Sequence, residues 1–313
     1  MSTAKLFESA GQLDIARVIR REGLGWVNQN QDRLRSIARS KKVQGIDGAL
    51  QVDGLRLTNT TAPAVVSADV VIPFHSGDVK WLPECVESII SQNHASPVVH
   101  VISDGPEFPK LPDSVRKYRH DKRPGVGPYR LTNALVKGGH TRTDYLAIQD
   151  ADDLSLPDRL RRQISLMTLS GAEMVSSAMR EFGEHRNGHV LQPGVSQRTN
   201  PYGRHINSSR TVRLGLFWRV NGFADWQCAA DFEFDNRVQL RRTGIVIHDH
   251  TVLGLRRVHS DSLSHLEGVR PLKSRKTKEI AELLRRIKLL RQGGIDPRSL
   301  GGLRDTSVRL IPA

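Results

Sequence analysis

The stretch Asp144-Tyr145-Leu146-Ala147-Ile148-Gln149-Asp150-Ala151-Asp152-Asp153 is a short apolar run that ends in a crowd of carboxylates. Four largely apolar residues bounded by polar ones predict a buried strand over 144–149. The acids then stand at the carboxyl end of that strand, where open α/β sheets bind their ligands. Carboxylates on one turn repel one another unless a cation or an array of donors compensates. Two readings fit the bare string: a site for a divalent cation and phosphate, or solvated acids of a loop and helix cap.

The sequence upstream builds the same kind of unit. Residues 69–73 predict a buried strand that ends at Pro73, 80–92 a helix carrying Leu82, Val86, Ile89 and Ile90, and 98–102 a second strand ending in Ser103-Asp104-Gly105. Strand, helix and strand at this spacing form a βαβ unit, and Asp104 joins the acids at the sheet's carboxyl edge. A helix is expected at 129–136, another from Pro157 with Leu160, Ile164 and Met167 on one face, and a strand at 173–178. Beyond these, the pattern predicts a strand and turn at 211–220, a helix at 230–242 and a strand at 244–247. Ahead of the unit, 5–39 reads as two short amphipathic helices, 49–57 as a hairpin around Asp53-Gly54, and 58–67 as a Thr-, Ala- and Pro-rich linker.

A chain of 313 residues suits one large domain with extensions, and its formal charge of +14 attracts polyanions of any kind. Much of the excess lies in 273–291, where eight basic residues face only Glu279 and Glu282. With Ile280, Leu283, Leu284, Ile287, Leu289 and Leu290 among them, this tail is an amphipathic helix. It either lies on an anionic membrane surface or packs on the domain with a solvated basic face. No window reaches the roughly 18 apolar residues of a membrane span, and the N-terminus lacks the apolar core of a signal peptide. The expectation is a cytoplasmic protein, with the inner membrane face as a peripheral location. Cys85 and Cys228 form no metal-binding pair, and the Asn59 and Asn207 glycosylation sequons are expected to be chance in such a protein. His248-Asp249-His250 reads as strand-end polarity.

The motifs, taken in order from 68 to 265, resemble glycosyltransferase family 2, inverting enzymes of GT-A fold. Asp69 to Pro73 resembles the family's opening strand, Leu82 to Gln92 its first helix, Ile102-Ser103-Asp104-Gly105 its nucleotide-binding turn and Asp150-Ala151-Asp152-Asp153 its DxD signature. Leu156 to Leu160 resembles the family's segment directly after that signature. Later, Val220-Asn221-Gly222-Phe223 is similar to the stretch before the acceptor region, Ala230-Asp231-Phe232-Glu233-Phe234 to the Glu-Asp motif, and Arg257-Val258-His259-Ser260-Asp261-Ser262-Leu263-Ser264 to the late Arg-x-His and Ser segment. Ala230 departs from the motif's Glu, so Asp231 and Glu233 both stand as candidates for the base. Asn133 matches a family position and reads as structural, whereas Thr132 stands where the family carries Arg.

The resemblance implies an α/β GT-A fold, a Rossmann-like mixed sheet flanked by helices, at 67–265, with extensions at 1–66 and 266–313. It implies a metal-dependent inverting glycosyltransferase that uses a nucleotide sugar, UDP-linked by expectation, and a carbohydrate or lipid-linked acceptor. Pro73, Asp104, Asp150, Asp152 and Asp153 would hold the donor, with Asp104 at the base and Asp150 near the ribose. Asp152 and His259 would bind Mg²⁺ or Mn²⁺. Two other classes compete. A nucleic-acid-binding protein would use the charge, but the aromatic fraction is 5% and no recognition motif accompanies it, so no specific nucleic acid is expected. A GT-A-like nucleotidyltransferase would need a Gly-rich activating loop that 73–77 does not supply.

Overall fold

The computed structural model describes residues 49–52, 65–184, 188–193, 206–227, 229–240, 244–259 and 270–313. The two N-terminal helices, the linker up to residue 64 and the second arm of the expected hairpin lie outside them.

Parallel strands form the centre. β2 (Val66–Phe74) pairs with β3 (Ala95–Ser103) on one side and β5 (Tyr145–Ile148) on the other. β2 is a continuous apolar run because both its faces are covered. Val70 and Ile72 face the helices α1 (Leu82–Ile90) and α3 (Arg159–Ser170), while Val71 faces α2 (Pro128–Lys137), α4 (Leu214–Arg219) and α5 (Ala230–Leu240). The carboxyl ends of these strands lie at one edge of the sheet, so Asp104 and the 149–153 turn emerge side by side.

The sheet extends well beyond this centre. On one flank β3 pairs with β4 (Arg116–His120), and β4 with β11 (Leu310–Pro312). On the other, β5 pairs antiparallel with β9 (Arg210–Arg213) and β9 with β7 (Met174–Gly183). Next come β10 (Val246–Val258) and then β1 (Ala49–Val52), both parallel. Short strands β6 (Leu154–Ser155) and β8 (Val190–Leu191) pair with β10 and β7. Both extensions therefore contribute a strand to the sheet. Ala49–Val52, expected as one arm of a hairpin, pairs instead with Val246–Asp249.

The segment expected as a strand at 244–247 is a strand of 13 residues. Its charged positions are paired: Arg162 donates to the buried Asp249, and Arg256 donates to the buried Glu181. His248 and Asp249 lie within this strand and not at its end. The basic tail forms α6 (Arg270–Gln292), which packs on α5 through buried Leu283, Ile287 and Leu290 and leaves Ile280 and Leu284 exposed. Among the described residues, no helix is long and apolar enough to cross a membrane.

Asn133 clamps the turn after α4. Its amide donates to the Phe223 carbonyl at 3.0 Å and accepts from the Phe223 N–H at 3.0 Å. Between them Gly222 sits at φ 62°, and a Cβ there would lie 2.5 Å from Asn133 Oδ1, so neither position has slack. Asn133→Ala leaves the buried Phe223 N–H without its partner, while the Phe223 carbonyl keeps the Gly302 N–H at 2.7 Å. It should lower unfolding free energy by about 1–3 kcal/mol, read as a lower urea midpoint at unchanged m.

Candidate active site

The strand edge opens into a cavity of about 480 Å³ lined by the ends of β2, β5 and β10, the start of α2 and the 206–208 segment. Seven carboxylates reach its wall: Asp78, Asp104, Asp150, Asp152, Asp153, Glu181 and Asp231. Against them stand two guanidiniums, Arg256 and Arg257. A protein of formal charge +14 thus keeps an acidic pocket.

Within the turn each acid has its own environment. Asp150 Oδ1 accepts from Asn207 Nδ2 at 2.6 Å and its Oδ2 lies 2.6 Å from Ser208 Oγ. Asp153 is buried, with one oxygen accepting from the Arg257 N–H at 2.9 Å and the other 2.6 Å from the same Ser208 Oγ. One hydroxyl carries one proton, so it cannot donate to both. The second short contact requires a proton on a carboxyl group. Electrostatics agree: burial, with the Asp152 charge behind it, raises Asp150 to about 6, and burial with Asp152 and Asp150 puts Asp153 well above the carboxylate range.

Asp152 points into the cavity, its Oδ2 3.1 Å from His259 Nε2. Arg257 holds the turn's backbone through the Asp152 carbonyl at 3.0 Å. Its guanidinium lies 4.1 Å from the Trp81 ring centre and 4.4 Å from that of Phe182, and it donates to Glu84. Such stacking suits a planar guanidinium and fixes its direction.

Asp104 lines the cavity, and its carboxylate is engaged: it accepts from the N–H groups of Gly125, Val126 and Gly127 at 2.9–3.0 Å and pairs with His120 at 3.1 Å. It therefore fixes the loop that starts α2. Pro73 also lines the pocket, as does Asp231, whose Oδ1 accepts from Tyr129 Oη at 2.8 Å. Glu233 is not brought there. Its carboxylate is buried against Arg237, with contacts of 2.9–3.2 Å, and faces Arg286 at 3.7 Å. The structure thus separates the two candidate bases, and only Asp231 reaches the cavity.

Asn207 and Ser208, read in the sequence as a chance sequon, are the immediate partners of the acidic turn. Tyr129 was likewise legible only as a helix residue. No sequence signal marks these three, since their roles come from contacts across 57, 58 and 102 positions.

Residues 69–224 match glycosyl transferase family 2. Through this segment the chain belongs to that family. Two curated relatives are an uncharacterized glycosyltransferase of Rickettsia felis, 27% identical over 169 residues, and one of Methanocaldococcus jannaschii, 31% identical over 106. These matches cover 51% and 31% of this chain but only 24% and 36% of the relatives. Among solved structures, S. aureus TarS 1–349 in complex with UDP-GlcNAc superposes with a TM-score of 0.50 at 13% identity, covering 75% of this chain and 74% of that one. A likeness at that identity speaks for the fold. The family 2 segment carries β2, β3, β5 and the DxD turn on a GT-A sheet.

The carboxylate crowding predicts a pH dependence of stability. Asp150 binds its proton more tightly folded than unfolded, so folding loses stability as pH rises through about 6. Without divalent cations, Asp150→Asn should melt about 2–5 °C above wild type at pH 8, with the gap closing below pH 4. Equal melting at both pH values in a differential scanning experiment would show that the turn bears no such strain.

Proposed function

We propose that the chain transfers a sugar from a nucleotide-sugar donor to a hydroxyl group of a carbohydrate or lipid-linked acceptor, with Mg²⁺ or Mn²⁺ and with inversion. The observation that carries this is the charge of the cavity: seven carboxylates against two guanidiniums repel a bare diphosphate and accept one that arrives with a divalent cation. Among the described residues, no three His, Cys, Asp or Glu side chains converge as a ready-made metal cage. That suits an ion held by one or two protein groups and completed by phosphate oxygens. Asp152 and His259, already 3.1 Å apart, fit as those groups, and the second ring nitrogen of His259 is buried with no partner among the described residues. When bound, the cation supplies charge stabilisation for the departing diphosphate.

The protein's own residues do the rest. Asp150 faces the donor from its Asn207 and Ser208 support, and Pro73 and Asp104 border the nucleotide. Asp231 takes the proton of the acceptor hydroxyl as its oxygen bonds to the anomeric carbon, and the electron pair of the breaking C–O bond leaves on the diphosphate. Attack from the face opposite that leaving group inverts the anomeric centre. The donor is UDP-linked by this reading, as the family resemblance implies. The exposed Ile280 and Leu284 of α6, among basic residues, suit peripheral contact with an anionic membrane that bears a lipid-linked acceptor.

A melting-shift panel of UDP, GDP, UDP-GlcNAc and GDP-mannose, with and without Mn²⁺, tests the donor site. At least one nucleotide should raise the melting temperature only with the cation, and Asp152→Asn should abolish that increment. Asp231→Asn should keep the shift while nucleoside diphosphate release falls by about 10²-fold or more. Wild-type turnover in both variants would sink the assignment.

A further inference from the structure

Tyr129 stands in the first turn of α2, which starts at Pro128 directly after the loop that Asp104 clamps. Its ring packs on Phe223 with centroids 5.2 Å apart, and its hydroxyl reaches 2.8 Å to Asp231 Oδ1 in α5. Both residues are over nine-tenths buried yet border the cavity. Among the described residues, this is the one side-chain hydrogen bond that Asp231 makes.

We propose that Tyr129 is the positioning residue of the acceptor-side base: its hydroxyl pins one oxygen of Asp231 and leaves the other directed at the acceptor. The inference rests on reading Asp231 as that base. A carboxylate on a short side chain swings about two torsions, and a rigid aromatic donor removes that freedom before the acceptor arrives. The phenol does not itself serve as base, because burial and the Asp231 charge hold its proton well above the ordinary tyrosine range. The charged groups around the pair are Asp150 from the turn after β5 and Arg210 from β9, the latter neutralised by Asp235 of α5 at 2.8 Å. Asp104 thereby acquires a link to the acceptor side: it fixes the loop, the loop fixes the start of α2, and α2 carries Tyr129.

The test compares Tyr129→Phe, Asp231→Asn and wild type by release of nucleoside diphosphate to water. The substrate is UDP-GlcNAc or GDP-mannose, whichever gives the larger Mn²⁺-dependent melting shift. Tyr129→Phe should retain that shift and the donor KM and lose about ten- to a hundredfold in kcat. An unchanged kcat in Tyr129→Phe, with Asp231→Asn inactive, overturns the positioning role and leaves the base reading intact. Loss of the melting shift in Tyr129→Phe also overturns it, by making the residue part of the fold or donor site. Full turnover in Asp231→Asn, or no shift with either nucleotide sugar in wild type, removes the underlying reading and this inference with it.

Discussion

A guanidinium buried directly behind the acidic turn holds the site together. Arg159, 1% exposed, donates to the carbonyl of Ile148 at 2.8 Å, to that of Arg210 at 3.2 Å, to Gln149 Oε1 at 2.5 Å and to Ser155 Oγ at 2.8 Å. It thus ties the ends of β5, β9, β6 and α3 at one point. Taking such a charge out of water costs several kcal/mol unless hydrogen bonds repay it, and here almost every donor direction is used. Burial pulls Arg159 down to about 10, with Asp150 and Asp153 opposing the shift, so it stays charged at neutral pH. One fixed positive charge beneath three clustered carboxylates sets the turn's shape without neutralising it.

That deficit gives the chain's overall charge a meaning. The sequence as a whole carries +14, with eight basic residues against two acids in 273–291, while the cavity is lined by seven carboxylates and two guanidiniums. A positive molecule draws anions toward it over roughly a Debye length, whereas an acidic pocket opposes a bare anion at close range. Attraction and selection are assigned to different parts of one surface, and the net charge alone describes neither.

The central strands were legible because both faces of β2, β3 and β5 are covered, which turns buried geometry into an uninterrupted apolar run. The acidic turn was legible as the end of such a run. β4, with the sequence Arg116-Lys117-Tyr118-Arg119-His120, was not, since a strand near a sheet edge has little apolar need. Less than half of β10 was legible because its charges are cancelled by Arg162 and Glu181 on other elements, and hydropathy counts the charge without the partner. The choice between Asp231 and Glu233 was available in principle. Two positions along a helix turn by about 200°, so the two acids face opposite sides, and Glu233 lies one turn before Arg237 on the side away from the pocket. What no local pattern could reveal is Ser208, which β9's antiparallel return beside β5 delivers onto the turn.

Ser208 also shows how the acidic turn exists at all. Its hydroxyl sits 2.6 Å from Asp150 and 2.6 Å from Asp153 while accepting the Asp150 N–H at 3.2 Å, an arrangement that is satisfied only if the two carboxyls share one extra proton. A proton and a divalent cation answer the same excess of negative charge. In the free protein that proton lowers the repulsion within the turn. Asp150 and Asp153 are therefore held by their own shared proton and by the Ser208, Asn207 and Arg257 donors. Asp152 is the one acid of the three whose carboxylate is left outside the Ser208 arrangement, and it turns instead to His259 across the cavity edge.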